Sequence, residues 1–243
     1  MGHHRWWTAL AVGCAILTAD AVAAQSRPES RSRAPSDPAG FIGLSFVAGN
    51  PLGELDAFFD RSFGVELEGV WPVSEDRRLR LRTDLGVLVY GHEKIAMCHP
   101  VGCRIGVDLT TTNNIFFAGV GPEYAFTTGG FEPYVFGTLG LSYFATISSL
   151  SGPDEYADYF DTTNYDDIVM AWRFGGGARV RVHSGRHPVS LDFGVERHQN
   201  GIANFLTEGD ILDNPDGSVT LFPNRSEANL MTFRFGVSVG IGG

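Results

Sequence analysis

Hydrophobic and polar positions alternate along most of this chain. From Phe63 to Val73 the sequence reads FGVELEGVWPV, with Phe63, Val65, Leu67 and Trp71 on one parity and Glu66 and Glu68 on the other. After SEDRR at 74–78 the pattern resumes as LRLRTDLGVLVY. Here Leu79, Leu81, Leu85, Val87 and Val89 alternate with Arg80, Arg82 and Asp84. A strand sends successive side chains to opposite faces, so the stretch predicts a hairpin with one apolar and one charged face. The shared parity predicts both acids of the first arm opposite arginines of the second. Such pairs are worth roughly 0.2–1 kcal/mol each when exposed.

The same reading predicts eight strands, at about Phe41–Gly49, Ser62–Val73, Leu79–Gly91, Thr111–Thr127, Phe131–Ser148, Ile168–His183, Pro188–Gln199 and Asn229–Ile241. Most run to about ten residues or more. That exceeds the roughly 5–6 of soluble sheets and matches the roughly 9–11 of a tilted transmembrane strand. The connections alternate in length: 50–61, 92–110, 149–167 and 200–228 are long, whereas 74–78, 128–130 and 184–187 are short. Long loops at one end and tight turns at the other are the habit of outer-membrane barrels. The predicted fold is therefore all-β: an eight-stranded antiparallel up-and-down transmembrane β-barrel with short periplasmic turns and long extracellular loops.

Collecting the polar faces gives a set of acids and arginines that nearly balance. They are Glu66, Glu68, Asp84, Glu123, Glu132, Asp192 and Glu196 against Arg80, Arg82, Arg173, Arg179, Arg181 and Arg234. Every base is arginine, whose planar fork suits fixed carboxylate pairs. Eight strands leave an interior only just wide enough for side chains, so the pattern predicts a filled, salt-bridged lumen rather than an open pore. The chain as a whole is acidic, at −10 formal charge, with no basic stripe of the kind a nucleic-acid binder carries.

The N-terminus predicts export. His3, His4 and Arg5 precede a short apolar stretch, Trp6 to Thr18, and the small residues Ala21-Val22-Ala23-Ala24. The predicted organisation is a signal peptide at 1–24, a Ser/Arg/Pro-rich leader at 25–40 and a barrel domain at 41–243. A lipoprotein reading through Cys14 is a minor alternative. Export to an oxidising space leaves two isolated cysteines, and a local disulfide between Cys98 and Cys103 is predicted.

Motifs for chemistry are sparse. Neither a nucleophile elbow nor a phosphate loop stands out. His183 and His198 share the lumen parity with Asp192 and Glu196, and Ser148, Ser149 and Ser151 lie near the outer rim, with no motif joining them to a histidine. The reading assigns no catalytic residue, no metal and no cofactor. The third long loop gathers Asp154, Glu155, Asp158, Tyr159, Asp161, Asp166 and Asp167, candidates for recognition or for a divalent cation, although EF-hand spacing is absent.

The segments GVGPEYAF (119–126) and FEPYVFGTLGLSYF (131–144), set in this strand pattern, resemble the small outer-membrane barrels of the OmpA transmembrane domain, OmpX and opacity type. The likeness covers about 40–243. One departure is the ending VSVGIGG, whose last aromatic is Phe235, where such barrels often end on an aromatic. The resemblance implies an outer-membrane location and a monomer embedded in outer-membrane lipid and lipopolysaccharide. It also implies contact with the barrel-assembly machinery during biogenesis, and loops that meet an extracellular ligand or surface. The implied role is non-enzymatic: structural, adhesive or interacting. The alternatives are a small-solute channel, an outer-membrane lipid-modifying enzyme, and a periplasmic lipocalin-like binder with its apolar faces turned inward.

Overall fold

The structure is a computed structural model describing residues 38–98, 106–151, 158–216 and 218–242. Eight strands close into one barrel: β1 (Gly40–Pro51), β2 (Ser62–Pro72), β3 (Leu79–Cys98), β4 (Gly106–Ala125), β5 (Phe131–Ser151), β6 (Asp158–His183), β7 (Val189–Asn200) and β12 (Leu230–Ile241). Four short strands, β8 (Ile202–Phe205), β9 (Ile211–Asp213), β10 (Val219–Leu221) and β11 (Asn224–Glu227), lie in the connection from β7 to β12. Every barrel pair is antiparallel, and closure comes from β12 against β1, with Gly40 level with Ile241 and Pro51 with Leu230. No strand is left with a free edge around the ring, which is the condition for crossing a bilayer with strands.

The apolar parity faces outward. Leu44, Leu139 and Met170 are 60%, 59% and 62% exposed, whereas Glu66 and Arg82 are 1% and 0%. Rings line up along the outer surface: Phe46 stacks on Phe63, Trp172 on Phe174, and Phe193 packs beside Phe235. So extensive an apolar exterior around a charged interior is stable only against lipid. The lipocalin-like alternative, which needs the opposite orientation, is overturned by this arrangement.

The turns at 73–78, 126–130 and 184–188 lie at the end that holds Gly40 and Ile241. The first is closed by Val73 N–H donating to the Leu79 carbonyl and by the Ser74 hydroxyl donating to Asp76 at 2.6 Å. That hydrogen bond holds the Asp76 carboxyl below its ordinary pKa.

At the other end the predicted boundaries need correction. Much of what reads as loop is strand. β3 and β4 continue in register from His92–Thr112 up to Cys98–Gly106, and β5 and β6 from Ile147–Thr163 to Leu150–Phe160. The physical reason is that Thr110, Thr111 and Thr112 are polar yet β-branched. Loss of the apolar parity marks where the strands leave the membrane, not where pairing stops. β6 reaches 26 residues, far beyond the roughly 9–11 needed to span. Two described connections at this end send residues inward instead: 52–61, with a 3-10 helix at Gly53–Ala57, through Leu55, and the connection from β7 to β12 through Ala203, Phe205 and Ala228, while Leu212 and Val219 of β9 and β10 stay exposed.

Candidate functional site

The charged residues of seven strands converge on one axis. β2 supplies Glu66 and Glu68, β3 Arg80, Arg82 and Asp84, β4 Glu123, β5 Glu132, β6 Arg173 and Arg179, β7 Asp192 and Glu196, and β12 Arg234, all buried. Arg82 sits at the centre, 2.9 Å from Glu66, 2.7 Å from Glu68 and 3.2 Å from Glu123. Arg234 closes the same group from the far wall, at 2.9 Å from Glu66 and 3.1 Å from Glu68. Arg179 bridges Glu123 at 2.6 Å, Asp192 at 2.9 Å and Glu68 at 3.3 Å. Aromatic faces fill the spaces between, with Arg82 over Phe136 and Arg179 over Tyr134, each 4.2 Å from ring centre.

The pairing differs from the simple hairpin expectation. Because Val73 and Leu79 close the turn, Glu68 lies level with Asp84 and Glu66 with Gly86, not with arginines. The guanidiniums reach their partners diagonally and across the lumen. Arg80 finds its carboxylate outside the hairpin and donates both terminal nitrogens to Glu132, at 2.5 and 2.8 Å. A second expectation also fails. Asp192 lies level with Arg179, and a bulge between Arg181 and His183 sets His183 level with Val189, where it is exposed. Arg181 is half-buried at the short-turn mouth, and its Nε has no hydrogen-bond partner among the described residues.

Above the main cluster the polarity thins. Arg173 meets Asp84 at 2.6 Å and lies over the Phe117 ring. His198 Nε2 is 2.6 Å from Glu196 and 3.2 Å from the Thr232 hydroxyl, and its ring stands edge-on to Phe117. A catalytic histidine needs a route to substrate and a second nitrogen set by an orienting group. His198 is fully buried, and both contacts use the same nitrogen.

The outer mouth is closed by an apolar plug. Leu55 from the 3-10 helix, Ala203 and Phe205 from β8, and Ala228 pack onto Val47, Leu88, Tyr90, Ile115, Phe144 and Leu230 of the wall, with Phe58 and Phe59 against them. Polar latches fix it. The Tyr90 hydroxyl donates to the Leu206 carbonyl at 3.1 Å, and Asp167 accepts from both the backbone and the side chain of Asn204. The sequence pattern reads 200–228 as a long outer connection, and the structure adds that its Ala203, Phe205 and Ala228 form part of a lid. The signal for the lid is that Leu88, Tyr90, Ile115, Phe117 and Phe144 are apolar on the lumen parity, each on the outer side of its own strand's charged lumen residues.

The predicted loop cluster is not assembled as one site among the described residues. Asp154 and Glu155 fall outside them, and Asp158 and Tyr159 open β6. Asp161 is exposed opposite Ser149, Asp166 is level with Ala145, and Asp167 is the latch. No grouping of His, Cys, Asp and Glu suited to a metal occurs among the described residues. Cys98 ends β3 and Cys103 lies outside the described residues, so the predicted disulfide does too. Of the rim serines, Ser148 is engaged with Thr111 at 2.7 Å and Asn164 at 2.6 Å.

No family model and no curated protein matches the chain. Among solved structures, the fold is similar to Neisserial surface protein A, at 14% identity and a TM-score of 0.44, covering 84% of this chain and 97% of that one. It is similar to Ail, the attachment invasion locus protein of Yersinia pestis, in complex with the heparin analogue sucrose octasulfate, at 10% and 0.42, covering 82% and 97%. It is also similar to a major outer membrane protein from Thermus thermophilus, at 11% and 0.40, covering 82% and 98%.

Proposed function

We propose that this chain is a non-enzymatic integral outer-membrane barrel, exported by a signal peptide at 1–24 that precedes a leader at 25–40. Its lumen is structural and closed, and its outer end meets an extracellular ligand or surface. The observation that carries the reading is the inversion of polarity: an apolar outer wall around a network of Arg82, Arg179, Arg234, Glu66, Glu68 and Glu123. The surroundings are outer-membrane lipid and lipopolysaccharide, reached through the barrel-assembly machinery, and the barrel stands as a monomer. Extension of β3 to β6 beyond the spanning length supports an outward-facing interaction role.

A channel would need both the plug and the arginine network to leave the axis. The test is fractionation together with planar-bilayer recording. The expected result is a detergent-requiring, heat-modifiable band in the outer-membrane fraction and no conductance steps above background. A soluble periplasmic monomer overturns the membrane reading, and steady unitary conductance overturns the closed lumen.

A further inference from the structure

The short-turn mouth holds a polar cavity of about 130 Å³, lined by Arg77, Arg80, Arg181, Thr128, Glu132 and Phe41 among others. Two of its three arginines are not used by the lumen network. Arg181 Nε is shielded from solvent and has no hydrogen-bond partner among the described residues. A buried donor left unpaired is costly, so an unfilled one marks a place for an acceptor. Arg77 is the described non-glycine residue with a left-handed backbone, at φ 59°. Such a conformation is disfavoured for a side-chain-bearing residue, and it recurs where geometry serves a ligand. Its carbonyl accepts from Arg80 Nε at 2.9 Å and its guanidinium donates to the Pro38 carbonyl, so the turn holds the side chain over the opening. The carboxylate on the same wall, Glu132, is already engaged, by Arg80 at 2.5 Å and Arg179 at 3.4 Å. The cavity thus offers one unmatched cationic donor, Arg181, a second guanidinium, Arg77, engaged by a backbone carbonyl, and the Thr128 hydroxyl, a set suited to a tetrahedral oxyanion.

We propose that the periplasmic mouth is a phosphate site in which Arg181, Arg77 and Thr128 hold the oxygens of a phosphate group, free or carried by a phospholipid headgroup. The test uses the full chain folded in maltoside micelles and titrated with inorganic phosphate, followed by phosphorus NMR. Saturable binding is expected, weakened at least about tenfold in Arg181→Gln, the cost of one charge-assisted hydrogen bond. Arg77→Gly removes the strained side chain without harming the turn, and should weaken binding while the barrel stays heat-modifiable. It carries the test if Arg181→Gln fails to fold. Arg78→Gln, an exposed neighbour that does not line the cavity, should change binding by less than about twofold, as expected for a screened surface charge. Adding phosphatidylglycerol to the micelles separates the sources: competition with phosphate assigns the site to a headgroup, and its absence assigns it to the free ion. Two results overturn the proposal. One is a wild-type chain that takes up no phosphate saturably, the outcome if these arginines only balance the acids of the lumen. The other is Arg78→Gln losing as much affinity as Arg181→Gln.

Discussion

The two halves of the barrel interior are filled by opposite physics. In the half toward the short turns, the wall residues themselves meet across the axis, and guanidiniums and carboxylates leave little room for anything else. In the half toward the long connections, the wall residues are apolar and do not meet. Residues of two connections descend between them, Leu55 from one and Phe205 from the other. A charged network depends on every member, because a buried ion without its partner costs more than the pair contributes. An apolar plug is closer to additive, each side chain stabilising by its own buried area. The first kind of filling belongs to the barrel as a whole and the second to a lid that can loosen locally.

Breaking the network gives the largest expected effect. Arg82→Leu removes the cation that Glu66, Glu68 and Glu123 share and leaves three buried carboxylates to Arg234 and Arg179. The expected loss is roughly 3–5 kcal/mol, read from urea unfolding in micelles by the shift from the compact to the extended gel band. A loss below about 1 kcal/mol would mean that water replaces the guanidinium freely, and the contrast between the two halves would collapse.

The lipid wall sharpens the comparison from outside. Leu85 shares β3 with Arg82 but faces outward at 58% exposure. Leu85→Arg places the same kind of charge in lipid, with an expected cost of about 2–4 kcal/mol near the midplane. The measurement is the same unfolding assay in vesicles. A harmless Leu85→Arg would show that this face meets water, and the assignment of inside and outside would fall with it.

The strand parity explains why the ring is readable in the sequence and the lid is not. From Phe63 to Tyr90 the pattern has a period of two, and strand and face follow from local geometry alone. Which arginine meets which acid is a different kind of fact. Arg80 meets Glu132 across 52 positions of sequence, and the choice depends on stagger around the ring, to which a single strand is blind. The mistaken loop boundaries share one cause. Membrane apolarity serves as the sign of a strand in the sequence, whereas Thr110 to Asn113 pair without it. The plug is written in Leu88, Tyr90 and Phe117, apolar residues standing on the arginine parity. Without knowledge of Phe205 they offer no partner to name.

The smallest effect on the whole barrel is expected in the plug. Phe205 sits edge-on to Phe58, at 5.2 Å between ring centres, and close to Tyr90 and Phe144. Phe→Ala in a core normally costs about 3–5 kcal/mol. Here that penalty should appear as local opening, because β8 is held to the barrel by the plug and the Asn204–Asp167 latch rather than by membership of the ring. Subglobal units open with their own free energies, so amide exchange at Ala203 to Leu206 in Phe205→Ala should quicken by at least about a hundredfold. Exchange within β2 and β12 should stay unchanged, and the urea midpoint should move by less than the equivalent of about 1 kcal/mol, since unfolding of the ring does not wait on the lid. If the midpoint falls with the lid, the plug and the charged network form one cooperative unit, and the apolar half is as much a part of the barrel's foundation as the arginines beneath it.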